Sequence, residues 1–396
     1  MKRKKVLHLF NQYLPQTENW AFNLISHLPE TEIYIGAKHY LKNNFYHPEF
    51  TFFEHPFGEI DRQYYKLDGR DPRELRKKIV LKVNRLLLGS LRKKLLTFSE
   101  LNQIEIVHAH FANVGWYFRD IPRGLKVPYI ISFYGWDYEC LPFTNPIFKK
   151  RYQLLFQHAT LFLCEGEHGR RILERMGCPA YKIKVQKLGV KISEISEHHR
   201  IKNRNTLTLV QIATFNEKKG HLFALKAFHQ ILPTCPNMHL TLVGPEGDPG
   251  VKFQVLQFIK ENGLSSNVKV LDEVCFSRLH EFLKDYQVFI HPSHYAGNRD
   301  CEGGAPIVLL DAQATGLPVI STFHCDIPDE VIDQKTGFLA EEGDIFRLAR
   351  IIQKFYEMDN LTYQEFSRNA RNHIVENYNV LINAKSLREI YESILI

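Results

Sequence analysis

A chain of 396 residues is longer than one compact core usually supports, and two domains is the economical division. Its apolar fraction of 44% and charged fraction of 24% are ordinary globular values and exclude both disorder and a fibrous repeat. The net charge of +7 is unevenly placed: residues 1–200 hold 32 of the 51 Lys and Arg but 20 of the 44 Asp and Glu, so the front half carries +12 and the remainder −5.

The opening Met1-Lys2-Arg3-Lys4-Lys5 mimics the charged start of a signal peptide, but the apolar stretch behind it ends at Phe10, short of the roughly 7–15 residues required. It predicts a mature N-terminus running into a first strand. No apolar run approaches the roughly 18–20 residues that span a bilayer. The seven cysteines (Cys140, Cys164, Cys178, Cys235, Cys275, Cys301 and Cys325) are scattered without a C-x-x-C pair. That argues against a disulfide framework or a zinc site and for a reducing cytoplasm.

Short apolar or β-branched runs alternate with helix-period segments, the pattern of strand-helix-strand units around a parallel sheet. Strands are expected at Lys5–Phe10, Glu32–Ile35, Ile104–Ala109, Tyr129–Phe133, Leu161–Cys164 and Ile183–Gln186, then at Thr208–Ala213, Met238–Val243, Val268–Leu271, Val288–His291 and Val319–Ser321. The polar stretch Lys191–Asn205 reads as the linker, which gives an N-terminal domain over 1–190 and a C-terminal domain over 191–377, with Tyr378–Ile396 as a last helix. The fold class is α/β, two doubly wound domains facing across a cleft lined by strand ends, where such sheets bind ligands.

Chemistry is therefore sought just after strands. Behind the first strand, Thr17-Glu18 reads as a helix start. The segment Arg73–Lys94 carries nine Lys and Arg against Glu74, interleaved with Leu75, Ile79, Leu86–Leu88 and Leu91. It fits either a solvated charged face or a basic amphipathic helix on an anionic membrane surface; the acidic-surface reading is weighted slightly ahead, and no nucleic-acid-binding motif accompanies it. Val107-His108-Ala109-His110-Phe111 ends a strand with two histidines at i, i+2, a pair open to metal ligation or to ordinary buried hydrogen bonding, with no acid or cysteine near it in sequence. After the next strand, Asp137 in Tyr134-Gly135-Trp136-Asp137 either contacts a ligand or stabilises its own loop, the second being favoured.

In the second half, Ala213-Thr214-Phe215-Asn216-Glu217-Lys218-Lys219-Gly220-His221 carries a strand into a helix through a lysine-glycine pair; the Lys219 ammonium beside a helix N-terminus suits a diphosphate. Gly244-Pro245-Glu246-Gly247-Asp248-Pro249-Gly250 spaces its glycines as G-x-x-G-x-x-G, so the dinucleotide fingerprint is not met. The most specific stretch runs from Ile290-His291-Pro292-Ser293 through Asp300-Cys301-Glu302-Gly303-Gly304-Ala305-Pro306-Ile307 to Asp311 and Ile320. There a helix opening near Ala305 or Pro306 offers free amides from Gly303 to Ile307 as an anion site, with Glu302 a candidate acceptor for sugar hydroxyls and Asp311 for ribose hydroxyls; the alternative is a plain loop with a capping acid.

This last stretch resembles the E-x7-E region of glycosyltransferase family 4, the retaining transferases of GT-B fold, and especially the branch assembling bacterial exopolysaccharide and lipopolysaccharide. The resemblance continues through His324-Cys325-Asp326-Ile327-Pro328-Asp329-Glu330-Val331 and Thr336-Gly337-Phe338-Leu339. Glu302 and Asp311 are separated by eight residues instead of seven, and Asp311 replaces a glutamate. Thr214 stands where the family's G-R-L-x-x-x-K-G has arginine, and Tyr134 where its "HGxD" turn has histidine.

The resemblance implies a GT-B fold of two Rossmann-like domains, with the C-terminal helix returning to the N-terminal one. It implies a metal-independent, retaining hexosyltransferase that needs no cofactor beyond a nucleotide-diphosphate sugar as co-substrate. Donor binding falls to Thr214, Gly244, Gly303, Gly304, Ala305, Pro306, Ile307 and Asp311, catalysis to Glu302, Lys219 and His110, and the acceptor side to Thr17 and Asp137. The implied partners are a nucleotide sugar and a glycan or lipid-linked acceptor in surface-polysaccharide synthesis, with the protein cytoplasmic and peripheral on the inner membrane face. Two other classes stand beside it: a GT-B sugar-nucleotide epimerase, and a non-catalytic sugar-nucleotide-binding or membrane-adaptor protein.

Overall fold

The computed structural model describes residues 3–15, 18–41, 45–54 and 91–395. Thr17 and residues 73–90 of the basic segment lie outside them. The strands are β1 (Lys4–Tyr13), β2 (Thr31–Tyr40), β3 (Thr51–Phe52), β4 (Ile106–His110), β5 (Tyr129–Ser132), β6 (Leu161–Cys164) and β7 (Ile183–Val185), followed by β8 (Leu207–Ile212), β9 (Met238–Val243), β10 (Val268–Leu271), β11 (Val288–Ile290), β12 (Val319–Thr322) and β13 (Gly337–Ala340). They form two sheets, ordered β3-β2-β1-β4-β5-β6-β7 and β10-β9-β8-β11-β12-β13. Every pairing is parallel. In each sheet the order reverses beside the first strand of its lobe, which opens a crevice at the strands' carboxyl ends.

Alternate residues of a strand supply opposite faces. In β1, Leu7 and Leu9 enter one core while Val6 and Phe10 enter another. In β8, Leu207 and Leu209 pack on one side and Val210 on the other. Both sheets are thus covered on two faces, the condition under which all-parallel sheets persist.

Eleven of these thirteen strands lie where the apolar runs place them. Sequence reading passes over β3, which has two residues, and β13, whose Gly337-Phe338-Leu339 reads first as a motif. The segment after Lys191 is no free tether. Arg200 donates to the carbonyls of Thr315 (2.7 Å) and Leu283 (3.1 Å), and the Lys202 ammonium to those of Thr206 (2.7 Å) and Tyr356 (3.1 Å). Arg200 and Lys202 are buried, their charged groups satisfying carbonyls on the C-terminal lobe.

The chain crosses between lobes twice, side by side: Val190 N–H donates to Tyr378 O (2.9 Å) and Val380 N–H to Val190 O (3.0 Å). The helix Asn360–Asn377 packs on the C-terminal lobe, and the final helix, Val380–Ser393, returns to the N-terminal lobe, where Ala384, Leu387 and Tyr391 join the core of Val6 and Phe10. Among the described residues no helix is long and apolar enough to cross a membrane.

Candidate functional site

The loops leaving β8 and β11 bring two charged side chains together. Gly220, at φ 68, turns the chain from Glu217–Lys219 into the helix His221–Ile231, and a Cβ there would stand 2.0 Å from the Pro292 carbonyl oxygen. Only glycine permits both the left-handed turn and that approach. Lys219 Nζ then reaches Glu302 Oε2 at 2.6 Å. The other carboxylate oxygen accepts from Ser293 Oγ at 2.9 Å, with His291 Nε2 at 3.5 Å.

Burial alone would raise the Glu302 carboxyl, but the Lys219 ammonium, the His291 contact and Lys218 together hold it well below the usual range. Lys219 is lowered, burial outweighing Glu302's opposing pull. Behind the pair, His324 accepts from the Glu302 amide through Nε2 (3.2 Å) and meets Glu342 through Nδ1 (2.7 Å). One neutral tautomer, with the proton on Nδ1, satisfies both.

Thr214 and Gly244 sit on adjoining turns. A Cβ on Gly244 would stand 1.8 Å from the Ala213 carbonyl oxygen, and Phe215 N–H donates to Pro245 O at 3.0 Å, so the exits of β8 and β9 are fastened together. The helix after the glycine pair is Ile307–Ala314, with Pro306 preceding it. In its first turn Leu309 N–H donates back to Pro306 O at 2.8 Å, and the Ile307 and Val308 amides have no partner within the helix. Asp311 lies in its second turn, buried, with Oδ1 held by His280 Nε2 at 2.9 Å.

The two lobes meet beside this site. Gly135 and Gly303, both at positive φ, touch backbone to backbone: a Cβ on Gly135 would lie 2.3 Å from the Gly303 Cα. The Gly304 amide, one of the expected anion donors, gives its hydrogen bond to Glu165 Oε2 of the N-terminal lobe (2.9 Å). In return, Asp326 of the C-terminal lobe accepts from the His168 amide at the start of the helix Glu167–Arg175 (2.7 Å). Asp326, Glu330 and Glu165 line a small cavity whose Asp326 Oδ2 and Glu330 Oε2 atoms have no hydrogen-bond partner. Burial and the neighbouring acids push Glu165 and Glu330 well up, while burial, with Asp329 nearby, raises Asp326 to about 6.

His110 is placed elsewhere. It is fully buried, stacked on Phe10, with Nδ1 bonded to Tyr134 Oη (2.7 Å) and Nε2 to His8 Nδ1 (3.0 Å). His108 bonds Tyr391 Oη and Ser132 Oγ, each at 2.7 Å. The ligand atoms of His8, His108 and His110 converge within 4.8 Å, yet five of the six ring nitrogens already have partners. Burial depresses all three rings, which keeps the trio neutral. Tyr134 is therefore the group through which this network reaches the lobe contact. Asp137 is also internal: Oδ1 and Oδ2 accept from the Tyr134 and Ala112 amides at 2.9 and 2.7 Å.

The structure thus unites Lys219 with Glu302, puts Gly303 directly after Glu302 at the lobe contact, sets Thr214 and Gly244 side by side at the joined exits of β8 and β9, and leaves His110 and Asp137 inside the N-terminal lobe. Sequence reading missed Glu165, Ser293, His324 and the third histidine, His8. Glu165 directly follows the strand β6, a position that the strand-end rule covers; His8 had no signal, because β1 and β4 become neighbours only in the sheet.

Residues 193–373 match the family described as "Glycosyl transferases group 1", and residues 52–194 match "Glycosyltransferase Family 4". The chain belongs to the family 4 glycosyltransferases. It is 27% identical over 251 residues to the putative colanic acid biosynthesis glycosyltransferase WcaL of Escherichia coli (strain K12), covering 62% of this chain and 60% of that protein. It is 31% identical over 204 residues to the amylovoran biosynthesis glycosyltransferase AmsK of Erwinia amylovora, covering 52% of this chain and 49% of that one. The match thus spans half to three-fifths of these relatives' length. The structure of Anabaena HepE in complex with UDP and glucose superposes with a TM-score of 0.72 at 16% identity, covering 99% of this chain and 100% of that one. That of WaaG, a glycosyltransferase involved in lipopolysaccharide biosynthesis, gives 0.64 at 13%, covering 97% and 99%. These likenesses establish the GT-B fold.

Proposed function

We propose that this protein is a retaining, metal-independent glycosyltransferase that moves a hexose from a nucleotide-diphosphate sugar to a glycan or lipid-linked acceptor in surface-polysaccharide synthesis. The observation that carries the reading is the Lys219–Glu302 pair, 2.6 Å apart at the strand ends of the C-terminal lobe and directly beside the lobe contact. Relatives named for colanic acid and amylovoran biosynthesis, and a like-folded protein solved with UDP-glucose, favour the same class of donor and product.

In this reading the donor diphosphate draws Lys219 from Glu302, and the ammonium neutralises charge as the bond from sugar C1 to phosphate breaks. Glu302, kept ionised, accepts hydrogen bonds from the sugar hydroxyls. The acceptor oxygen bonds to C1 on the face the phosphate leaves, and its proton passes to a leaving phosphate oxygen, so no protein base is required. Thr214, Gly244 and the Gly303–Ile307 backbone shape the phosphate pocket, Asp311 meets the ribose, and the Tyr134–His110 network supports the sugar from the N-terminal lobe. Lobe closure limits hydrolysis by excluding water.

The test is a thermal-shift screen with nucleotide sugars in the presence of a chelator, followed by proton NMR of the glycoside formed with the donor that shifts. The expected result is a chelator-insensitive shift and retained anomeric configuration. Inverted product, isomerised donor without acceptor, or shifts that require a divalent metal would overturn the reading.

A further inference from the structure

A second concavity lies to one side of the Lys219–Glu302 pair, a cleft of about 360 Å³ between the lobes. One wall begins at Tyr138 and Glu139, just after the Gly135 contact; the other carries Arg299, three residues before Glu302. Its floor is apolar and aromatic, from Tyr138, Pro142, Phe143, Ile172 and Met176, and its rim is cationic, from Lys149, Arg175 and Arg299.

Acidic compensation at that rim is incomplete. Glu139, the one carboxylate in the lining, is spent: Oε2 binds Arg299 Nη2 at 3.2 Å and Oε1 accepts from Tyr295 Oη at 3.2 Å. Among the described residues, Lys149 and Arg175 have no ion-pair partner. Arg299 uses one of its five N–H groups on Glu139, and the rest of the fork is available. Three cations over an aromatic floor disfavour a metal ion or a neutral apolar ligand. They suit an oxyanion carried on a ring that can lie against Phe143 and Tyr138.

We propose that this cleft is a subsite for the oxyanion of a charged acceptor, either a phosphate ester or the carboxylate of an acidic sugar, gripped by Lys149, Arg175 and Arg299. The assignment to an acceptor rests on the transferase reading; the binding of the anion does not. Because Arg299 belongs to the C-terminal lobe and Lys149 and Arg175 to the N-terminal lobe, the subsite is complete only when the lobes are together.

Calorimetric titration of the full chain with α-glucose 1-phosphate and with glucuronate, against methyl glucoside as a neutral control, tests this. At least one anion is expected to bind while the neutral sugar does not, and which anion binds separates the phosphate from the carboxylate source. The variant Lys149→Gln/Arg175→Gln, altered at exposed positions, should lose affinity by about tenfold or more, as expected for lost charge-assisted hydrogen bonds; Lys149→Gln alone serves if the pair folds poorly. Lys219→Gln, which disturbs the donor phosphate pocket, should leave this binding unchanged. Absence of binding, equal binding of the neutral sugar, survival in the rim variants, or loss in Lys219→Gln alone would overturn the proposal, the last of these while leaving the transferase reading intact.

Discussion

Two sets of buried carboxyls lie on either side of the Gly303-Gly304 turn, and the fold treats them oppositely. Glu302 faces the Lys219 ammonium, a hydroxyl and Lys218 on the same turn as Lys219, and it stays ionised. Glu165, Asp326 and Glu330 have no ion-pair partner among the described residues, and burial with neighbouring acids raises their proton affinities. Depth of burial is much the same, so compensation by an opposite charge sets the protonation state. The ionised acid belongs to the proposed chemistry, and the acids of raised proton affinity line the contact between the lobes.

The largest effect is expected from removing that compensation. Lys219→Met leaves the Glu302 charge buried without its cation, at a cost of about 3–5 kcal/mol in stability, and transfer should fall by roughly 10²–10³-fold, as for loss of a preorganised electrostatic group. The double variant Lys219→Met/Glu302→Leu separates the two effects: denaturation should show stability largely recovered, whereas product formation should remain at the single-variant level or lower. Recovery of both together would mean that the pair is only structural.

A smaller effect, visible only against pH, should come from the other set. For a carboxyl whose proton affinity is raised in the folded state, stability is fully present below the unfolded-chain pKa and is lost as pH rises through the folded-state value. For Asp326 that window runs from the ordinary aspartate value of 3.8 to about 6, and for Glu165 and Glu330 it extends higher. Groups facing the cluster modulate it: Asp329, Asp137 and Glu302 raise these carboxyls, Lys187 and Arg171 lower them, and the Gly304 amide lowers Glu165. Within its window each carboxyl contributes a slope of roughly 1.4 kcal/mol per pH unit. Melting temperature should therefore fall with rising pH more steeply in the native chain than in Glu165→Gln/Glu330→Gln, whose amides imitate the protonated form. Parallel profiles would mean that the native carboxyls carry no shifted proton.

The same contrast marks what a sequence reveals. Strands were legible because both faces of each sheet are covered, which writes continuous apolar runs; the Val288–Asp311 block was legible because a glycine turn, a helix start and an acid must follow one another in the chain. Lys219 could be assigned to the same wall as Glu302, since both follow strands of one sheet. The contact of Glu165 with Gly304 was not legible, because it joins residues on different lobes, and neither carries a local signature of its partner. The surroundings of His110 were hidden by the same limitation: its position at a strand end was visible, but the arrival of His8 from β1 and of Tyr134 above it, which occupy both ring nitrogens, depends on sheet order.

The smallest test concerns how finely the ionised acid is held. Ser293 donates to Glu302 Oε1 at 2.9 Å, while the other oxygen stays with Lys219 and His291 stands 3.5 Å away. Ser293→Ala therefore removes one hydrogen bond to a charged acceptor without removing the compensating cation. Such a bond is worth about 1.5 kcal/mol at the low end, or roughly a factor of ten in kcat/KM if Glu302 must be fixed to meet the sugar hydroxyls. Ser293→Thr keeps the hydroxyl and should recover most of the rate if the small pocket admits the extra methyl. A loss in Ser293→Ala as large as that in Lys219→Met would show that orientation, and not charge compensation, separates Glu302 from the acids across the turn.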